Sequence, residues 1–204
     1  MSRRSVMDYI RDYRDRRDIS GGRDGLGLSD LDTPFFDSGS GGFLDGSLDD
    51  LDGPRGEPCW KTHPRLIAGR YFVTGGSARY PSPSATVRVQ LEEGRTPEFR
   101  ASGTPLAVSF PIRNMRIPDL RETRELLSWL CGVMKAGDEV HIGCVGGHGR
   151  TGTIIACMHH MLDPSDEDRV EWVRREYCRR AVEGFEQESF VREFCSTVDK
   201  YTDS

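Results

Sequence analysis

From about residue 66 the chain alternates short apolar runs with longer segments in which apolar residues recur at helical spacing. The apolar runs predict strands over Leu66–Val73, Thr86–Leu91, Leu106–Phe110 and Glu139–Cys144. The helical period predicts helices over Leu120–Lys135, Arg150–Leu162, Asp166–Cys178 and Gln187–Lys200. Ser165, followed by Asp166, Glu167 and Asp168, reads as the cap of the third helix. Phe190, Phe194 and Val198 give the last helix an apolar stripe for a core. A strand–helix–strand unit that leads into a loop at a strand's carboxyl end predicts an α/β domain. Its central, mostly parallel sheet is flanked by helices, and its site lies at that end.

The first quarter of the chain has no such pattern. Residues 20–57 are dominated by Gly, Ser, Asp and Leu, and their two arginines against nine acids give a charge of −7. Such a segment buries too little apolar surface to offset chain entropy, which predicts a disordered acidic tail over residues 1–57. Within it Val6, Tyr9, Ile10 and Tyr13 fall at helical spacing and suggest a short helix able to dock on the domain or a partner. Residues 58–204, the predicted folded domain, carry 20 basic and 20 acidic side chains, so the net −5 of the chain arises in the tail. A formally neutral domain offers no broad basic field for nucleic acid. Arg113, Arg116, Arg174, Arg175, Arg179 and Arg180 read as a solvated helix face rather than a binding patch. No long apolar run suggests a signal peptide or a membrane span, and the expectation is a cytoplasmic protein. The six cysteines show neither CxxC pairs nor metal-ligand spacing. Of these, Cys131, Cys157 and Cys195 sit at apolar helix positions and read as small core residues.

Chemistry concentrates in Val140-His141-Ile142-Gly143-Cys144-Val145-Gly146-Gly147-His148-Gly149-Arg150-Thr151-Gly152. A cysteine and an arginine stand at the two ends of a glycine-rich loop, between an apolar strand and a helix. Amides of Val145, Gly146, Gly147, His148 and Gly149, with the helix N-terminus behind them, can converge on an anion. The same field favours a thiolate at Cys144, and the fork of Arg150 can bind two phosphoryl oxygens.

This loop resembles that of protein tyrosine and dual-specificity phosphatases, whose signature is Cys-x5-Arg followed by Ser or Thr. The resemblance covers about residues 60–200. With the stretch from Trp60 to Ser77 (His63-Pro64 and Gly75-Gly76-Ser77), it is similar to bacteriophage and bacterial versions. It implies metal-independent hydrolysis of phosphomonoesters without a cofactor. Cys144 would attack phosphorus to form a phospho-cysteine, Arg150 would bind the phosphoryl oxygens and Thr151 would steady the thiolate. In a phage-encoded protein the compartment would be the host cytoplasm.

Two positions depart from that pattern. The family usually has a histidine directly before the nucleophile, where this chain has Gly143. His141, on the same face of the strand, reads either as a partial replacement or as an ordinary strand residue. The family's general acid is the aspartate of Pro-Ile-x-Asp-x-x-x-Pro. Here Pro111-Ile112-Arg113-Asn114-Met115-Arg116-Ile117-Pro118 places Asn114 there, and an amide cannot supply the proton. Asp119 is a possible acid, though with Glu122 it also has the signature of a capping box. His148 is a further candidate donor or a filler that sets pocket width. Gln187 lies where some family members position the hydrolytic water, or is an exposed first-turn residue. Three functions follow: a phosphatase of phosphotyrosine or mixed phosphoprotein substrates, a phosphatase of inositol phosphates, nucleotides or RNA 5′ ends, and a phosphate-binding pseudophosphatase slowed by Asn114.

Overall fold

The computed structural model describes residues 8, 11, 66–67, 71–79, 81–93, 106–163 and 165–198. The segment 20–57, the stretch around Trp60 and the proposed docking by the tail lie outside these residues. Asp8 and Arg11 are helical and approach to 3.9 Å, while Val6, Tyr9, Ile10 and Tyr13, which carry the expected helical spacing, lie outside the described residues.

Five strands, β1 (Leu66–Ile67), β2 (Tyr71–Ser77), β3 (Val87–Gln90), β4 (Leu106–Ser109) and β5 (Val140–Cys144), form one sheet in the order β1-β2-β5-β3-β4. The last four in that order are mutually parallel, and β1 pairs antiparallel with β2 through Leu66↔Phe72 and Ile67↔Tyr71. The single strand expected over Leu66–Val73 is therefore two. β2 then runs past Val73 through Gly75, Gly76 and Ser77, opposite Ile142, Gly143 and Cys144. Glycines give no apolar signal, but ladder bonds need only the backbone.

Four helices follow: α1 (Leu120–Lys135), α2 (Gly149–Leu162), α3 (Arg169–Glu176) and α4 (Phe185–Thr197). α1 ends where its period predicted. Asp119 caps it, accepting Glu122 N–H at 2.9 Å, while Leu126, Leu127 and Leu130 are buried without exposure. α3 starts later than expected, and its cap is Asp168 rather than Ser165, with Asp168 accepting from Val170 and Glu171. Ser165 is drawn into another network: its N–H donates to Asp163 at 2.7 Å and its hydroxyl accepts from Arg169. Every residue of α2 is buried, because α2 packs on β2 and β5 and touches the three other helices. Full burial of a leucine, isoleucine or phenylalanine is worth about 1.5–3 kcal/mol, so this layer holds the sheet and helices together.

The expected fold class is observed, an α/β domain with a mostly parallel sheet flanked by helices. Three cysteines are packed as expected. Burial pushes the thiols of Cys131 and Cys195 up to about 12 and about 11, and raises that of Cys157 well above the usual range. None of these three ionises at neutral pH.

Two buried histidines make stability depend on pH. His141 takes Ser82 N–H on Nδ1 at 3.3 Å, with Thr74 Oγ1 at 3.1 Å. His159 lies between Arg169 NH1 at 2.9 Å and Asp163 Oδ2 at 3.2 Å, its ring stacked on Trp172 at 3.6 Å. Burial, helped by Arg88 and Arg169 respectively, lowers both to about 4. The unfolded chain binds protons on these rings below about pH 6.5, and the native chain does so only near pH 4. Stability is therefore lost as pH falls through that window. At pH 5 each ring is expected to cost about 2 kcal/mol relative to pH 8. Urea midpoints across this range check the loss, and replacing His159 by glutamine should flatten it.

Candidate active site

β5 is the middle strand of the five-stranded sheet, buried along its whole length, and it delivers Cys144 to the carboxyl edge of the sheet. The chain then turns through Val145–His148 into α2. No side chain caps α2 and its first turn holds no acid, whereas α1 and α3 begin on capping aspartates. Helix N-terminal amides with no side-chain cap, beside a cysteine, suit an anion.

Cys144 is 3% exposed, and its sulfur accepts the N–H of Gly147 at 3.2 Å. Gly147 has φ +77, which points that amide back at the strand end and which a side chain would resist. Thr151 Oγ1 accepts the N–H of Cys144 at 3.0 Å, so this hydroxyl steadies the nucleophile's backbone. Arg150 is buried, and its NH1 donates to the carbonyl of Ile112 at 3.0 Å. One guanidinium thus joins the glycine loop to the segment 111–118.

The structure gives a reason for Gly143. A Cβ there would stand 2.7 Å from the nitrogen and 2.8 Å from the Cα of Ala78, whose N–H donates to Cys144 O. Chain leaving β2 passes directly over this position, so no histidine fits. The bonds of His141 run to Thr74 and Ser82. It braces the crossover.

Asn114 is exposed in a turn closed by Arg116 N–H to Arg113 O at 3.0 Å, with Met115 next to it at φ +60. Asp119 holds its cap with one oxygen, yet it also lines a cavity of about 610 Å³ with Ile112, Ile117 and Pro118. His148 is buried, with Nδ1 3.2 Å from Cys178 Sγ, which turns it toward the interior as a filler.

Gln187 is not the exposed first-turn residue. It is 1% exposed, its Oε1 accepts Glu183 N–H at 3.0 Å, and its Nε2 is buried without a partner. A Cβ on Gly149 would lie 2.9 Å from its Oε1 and would collide with Glu183 Oε2, so a side chain at the start of α2 would have to push these two side-chain ends aside. Val182, at φ +59 a costly conformation for a β-branched residue, shapes this turn. Arg174 is no solvated face residue: it donates to Ala181 O and Val182 O and meets Glu188 at 2.6 Å.

Tyr177, which the sequence left inside a helix, is buried beneath the loop and donates its hydroxyl to Gly147 O. Its ring occupies the space beside Gly75, where a Cβ would come within 2.6 Å of it. By holding the carbonyl of Gly147, it fixes the Gly147–His148 peptide plane, which adjoins the one whose N–H faces Cys144. Tyr177→Phe is expected to lower catalytic turnover about 10- to 100-fold, from one lost bond and one stranded carbonyl. Steady-state rates beside urea midpoints check this, and a loss of stability without a fall in turnover would refute the positioning role.

A family model described as the DSP-PTPase phosphatase domain of a Swiss Army Knife protein matches residues 86–191. Two uncharacterized proteins of Methanocaldococcus jannaschii are 38% identical over 84 residues and 36% identical over 87. Each match takes in 41% of this chain, and 56% and 52% of the relatives, so the chain spans about half the length of either. Among solved structures, Tk-PTP in its active form aligns with a TM-score of 0.53 at 23% identity, over 67% of this chain and 98% of that one. A mouse dual specificity phosphatase complexed with zinc tungstate aligns with 0.52 at 15% identity, over 72% and 93%. At such identities these two likenesses speak for the fold alone.

Proposed function

Because the chain belongs to the DSP-PTPase phosphatase family of Swiss Army Knife proteins, we propose that it hydrolyses phosphomonoesters through a phospho-cysteine on Cys144, with phosphotyrosine-bearing protein segments as substrates. The observation that carries this reading is the sulfur of Cys144, which faces the Gly147 amide at the mouth of an uncapped helix with Arg150 in its first turn. The loop amides from Val145 to Gly149 and the guanidinium hold the nonbridging oxygens. Sulfur forms a bond to phosphorus as the ester oxygen departs with its electron pair. Water then attacks phosphorus, the S–P bond breaks, and phosphate and the thiolate are released. Gln187 is the residue that orients this water, since its Oε1 lies beside the start of α2 and its buried Nε2 has no hydrogen-bond partner. No step in this sequence requires a metal.

Charge around the loop supports a substrate with one phosphate. Against Arg79, Arg113, Arg116 and Arg150 stand Glu93, Asp119, Glu122, Glu183 and Glu186, and Arg116 is already paired with Glu186 at 3.0 Å. Inositol polyphosphates and RNA ends need the opposite balance.

Protonation of the leaving group is the weak step, because Asn114 has no proton to give. Turnover should favour weakly basic leaving groups. Asn114→Asp is expected to raise turnover of phosphotyrosine about 10- to 100-fold, with less than about twofold change on a nitrophenyl-type phosphate. An unchanged rate would move the acid role to Asp119, His148 or water. Asp119→Asn tests the first of these cleanly, since asparagine keeps the cap.

The test of the whole reading is turnover of an aryl phosphate in chelator, with acid quench and mass analysis of the peptide containing Cys144. A phosphate adduct on that cysteine is the expected result. Binding of phosphate without turnover or adduct would replace the enzyme with a phosphate-recognition module.

A further inference from the structure

Among the described residues, four large apolar side chains are exposed: Met115 at 51%, Ile117 at 41%, Val145 at 40% and Phe185 at 81%. Single exposed apolar residues are ordinary on a surface. These four are not scattered. Val145 follows Cys144 in the glycine loop. Met115 and Ile117 lie on the segment whose Ile112 carbonyl holds Arg150. Phe185 opens α4, the helix that carries Gln187.

Contacts join these segments into one rim. Arg116 bridges to Glu186 at 3.0 Å, and the Cε of Met115 comes within 3.9 Å of the place a Cβ on Gly184 would take. Met115 is held at φ +60, an uncommon conformation for a residue with a side chain, and about half of its surface remains in water. The strained backbone thus displays an apolar side chain that the fold itself does not bury.

We propose that this rim is a subsite for apolar side chains flanking the phosphorylated residue of a protein segment. The inference rests on the phosphatase reading and specifies its substrate. Charge selects the occupant. Arg116 is paired with Glu186 at 3.0 Å, and the adjoining cavity of about 610 Å³ is lined by three acids, Glu93, Asp119 and Glu122, against one cation, Arg113. Anionic lipid surfaces and polyanions are repelled there, whereas a peptide with leucine or phenylalanine beside its phosphotyrosine meets a matched surface.

The experiment uses the full chain and two phosphotyrosine peptides of equal charge, one with Leu and Phe flanking the phosphorylated residue and one with Ser in their place. Each kcat/KM is divided by that for a small aryl phosphate on the same enzyme, which reads the loop alone. Wild type should favour the apolar peptide about tenfold, the worth of partly burying a few large side chains. Phe185→Ser and Met115→Ser should each bring the ratio toward one. Equal rates on both peptides in wild type, or an unchanged ratio in both variants, would overturn the subsite. If wild type turns over no aryl phosphate, the phosphatase reading fails on its own account. The subsite is then judged by the Kd values of the two peptides, where the same tenfold ratio is expected and equal affinity refutes it.

Discussion

Serine at position 144 lowers turnover of an aryl phosphate by at least about four orders of magnitude, to background. The expectation follows from chemistry rather than from damage to the fold. A serine hydroxyl is not ionised at neutral pH, and no base stands ready to take its proton in the contacts of Cys144. The replacement is smaller and enters a site only 3% exposed, where the Gly147 amide can donate to oxygen as it does to sulfur. Arg150 and the loop amides are untouched, so the variant should still bind vanadate or phosphate. Initial rates and anion affinity measured together give the decisive pair. Residual activity within about tenfold of wild type would remove Cys144 from the reaction.

Lysine for Arg150 is expected to lower kcat/KM about 10²- to 10³-fold, the usual cost of losing an aimed donor at developing charge. The structure adds a second loss. The guanidinium also donates to Ile112 O at 3.0 Å, and a point-charge ammonium cannot hold that carbonyl and present a fork to phosphate together. Segment 111–118 should therefore loosen in the variant. Hydrogen exchange at Ile112–Ile117 is expected to quicken while the amides of β5 stay protected. A rate loss with no change in exchange would confine Arg150 to the anion.

How much of this was legible in the sequence differs from element to element. α1 was found to the residue, because an aspartate cap and three buried leucines at helical spacing are local signals. The end of β2 was not. Gly75, Gly76 and Ser77 are strand because of the backbone they face in β5, and that partner lies more than sixty residues along the chain. The start of α3 was misplaced because the acids after Ser165 imitate a first turn, while Arg169 reaches back to take Ser165 out of service as a cap. The glycine loop was readable because its chemistry is contiguous from Cys144 to Thr151. Tyr177, Arg174 and Glu183 were not, since each acts on the site through a contact that only the packing creates. Gly143 was visible as a missing histidine, but the cause, the backbone of Ala78 lying on it, belongs to the crossover.

The bond from Arg150 to Ile112 ends on a main-chain carbonyl. A carbonyl is present whatever residue occupies the position, so the latch between the anion cradle and the neighbouring segment tolerates exchange of every side chain from Arg113 to Ile117. Asparagine in place of an acid, or an apolar residue in place of a polar one, leaves the latch engaged. The two halves of the site are thus separable as evolving parts. One half is fixed by what a phosphoryl group demands, and the other is free to be rewritten for each leaving group and each neighbouring residue it must meet.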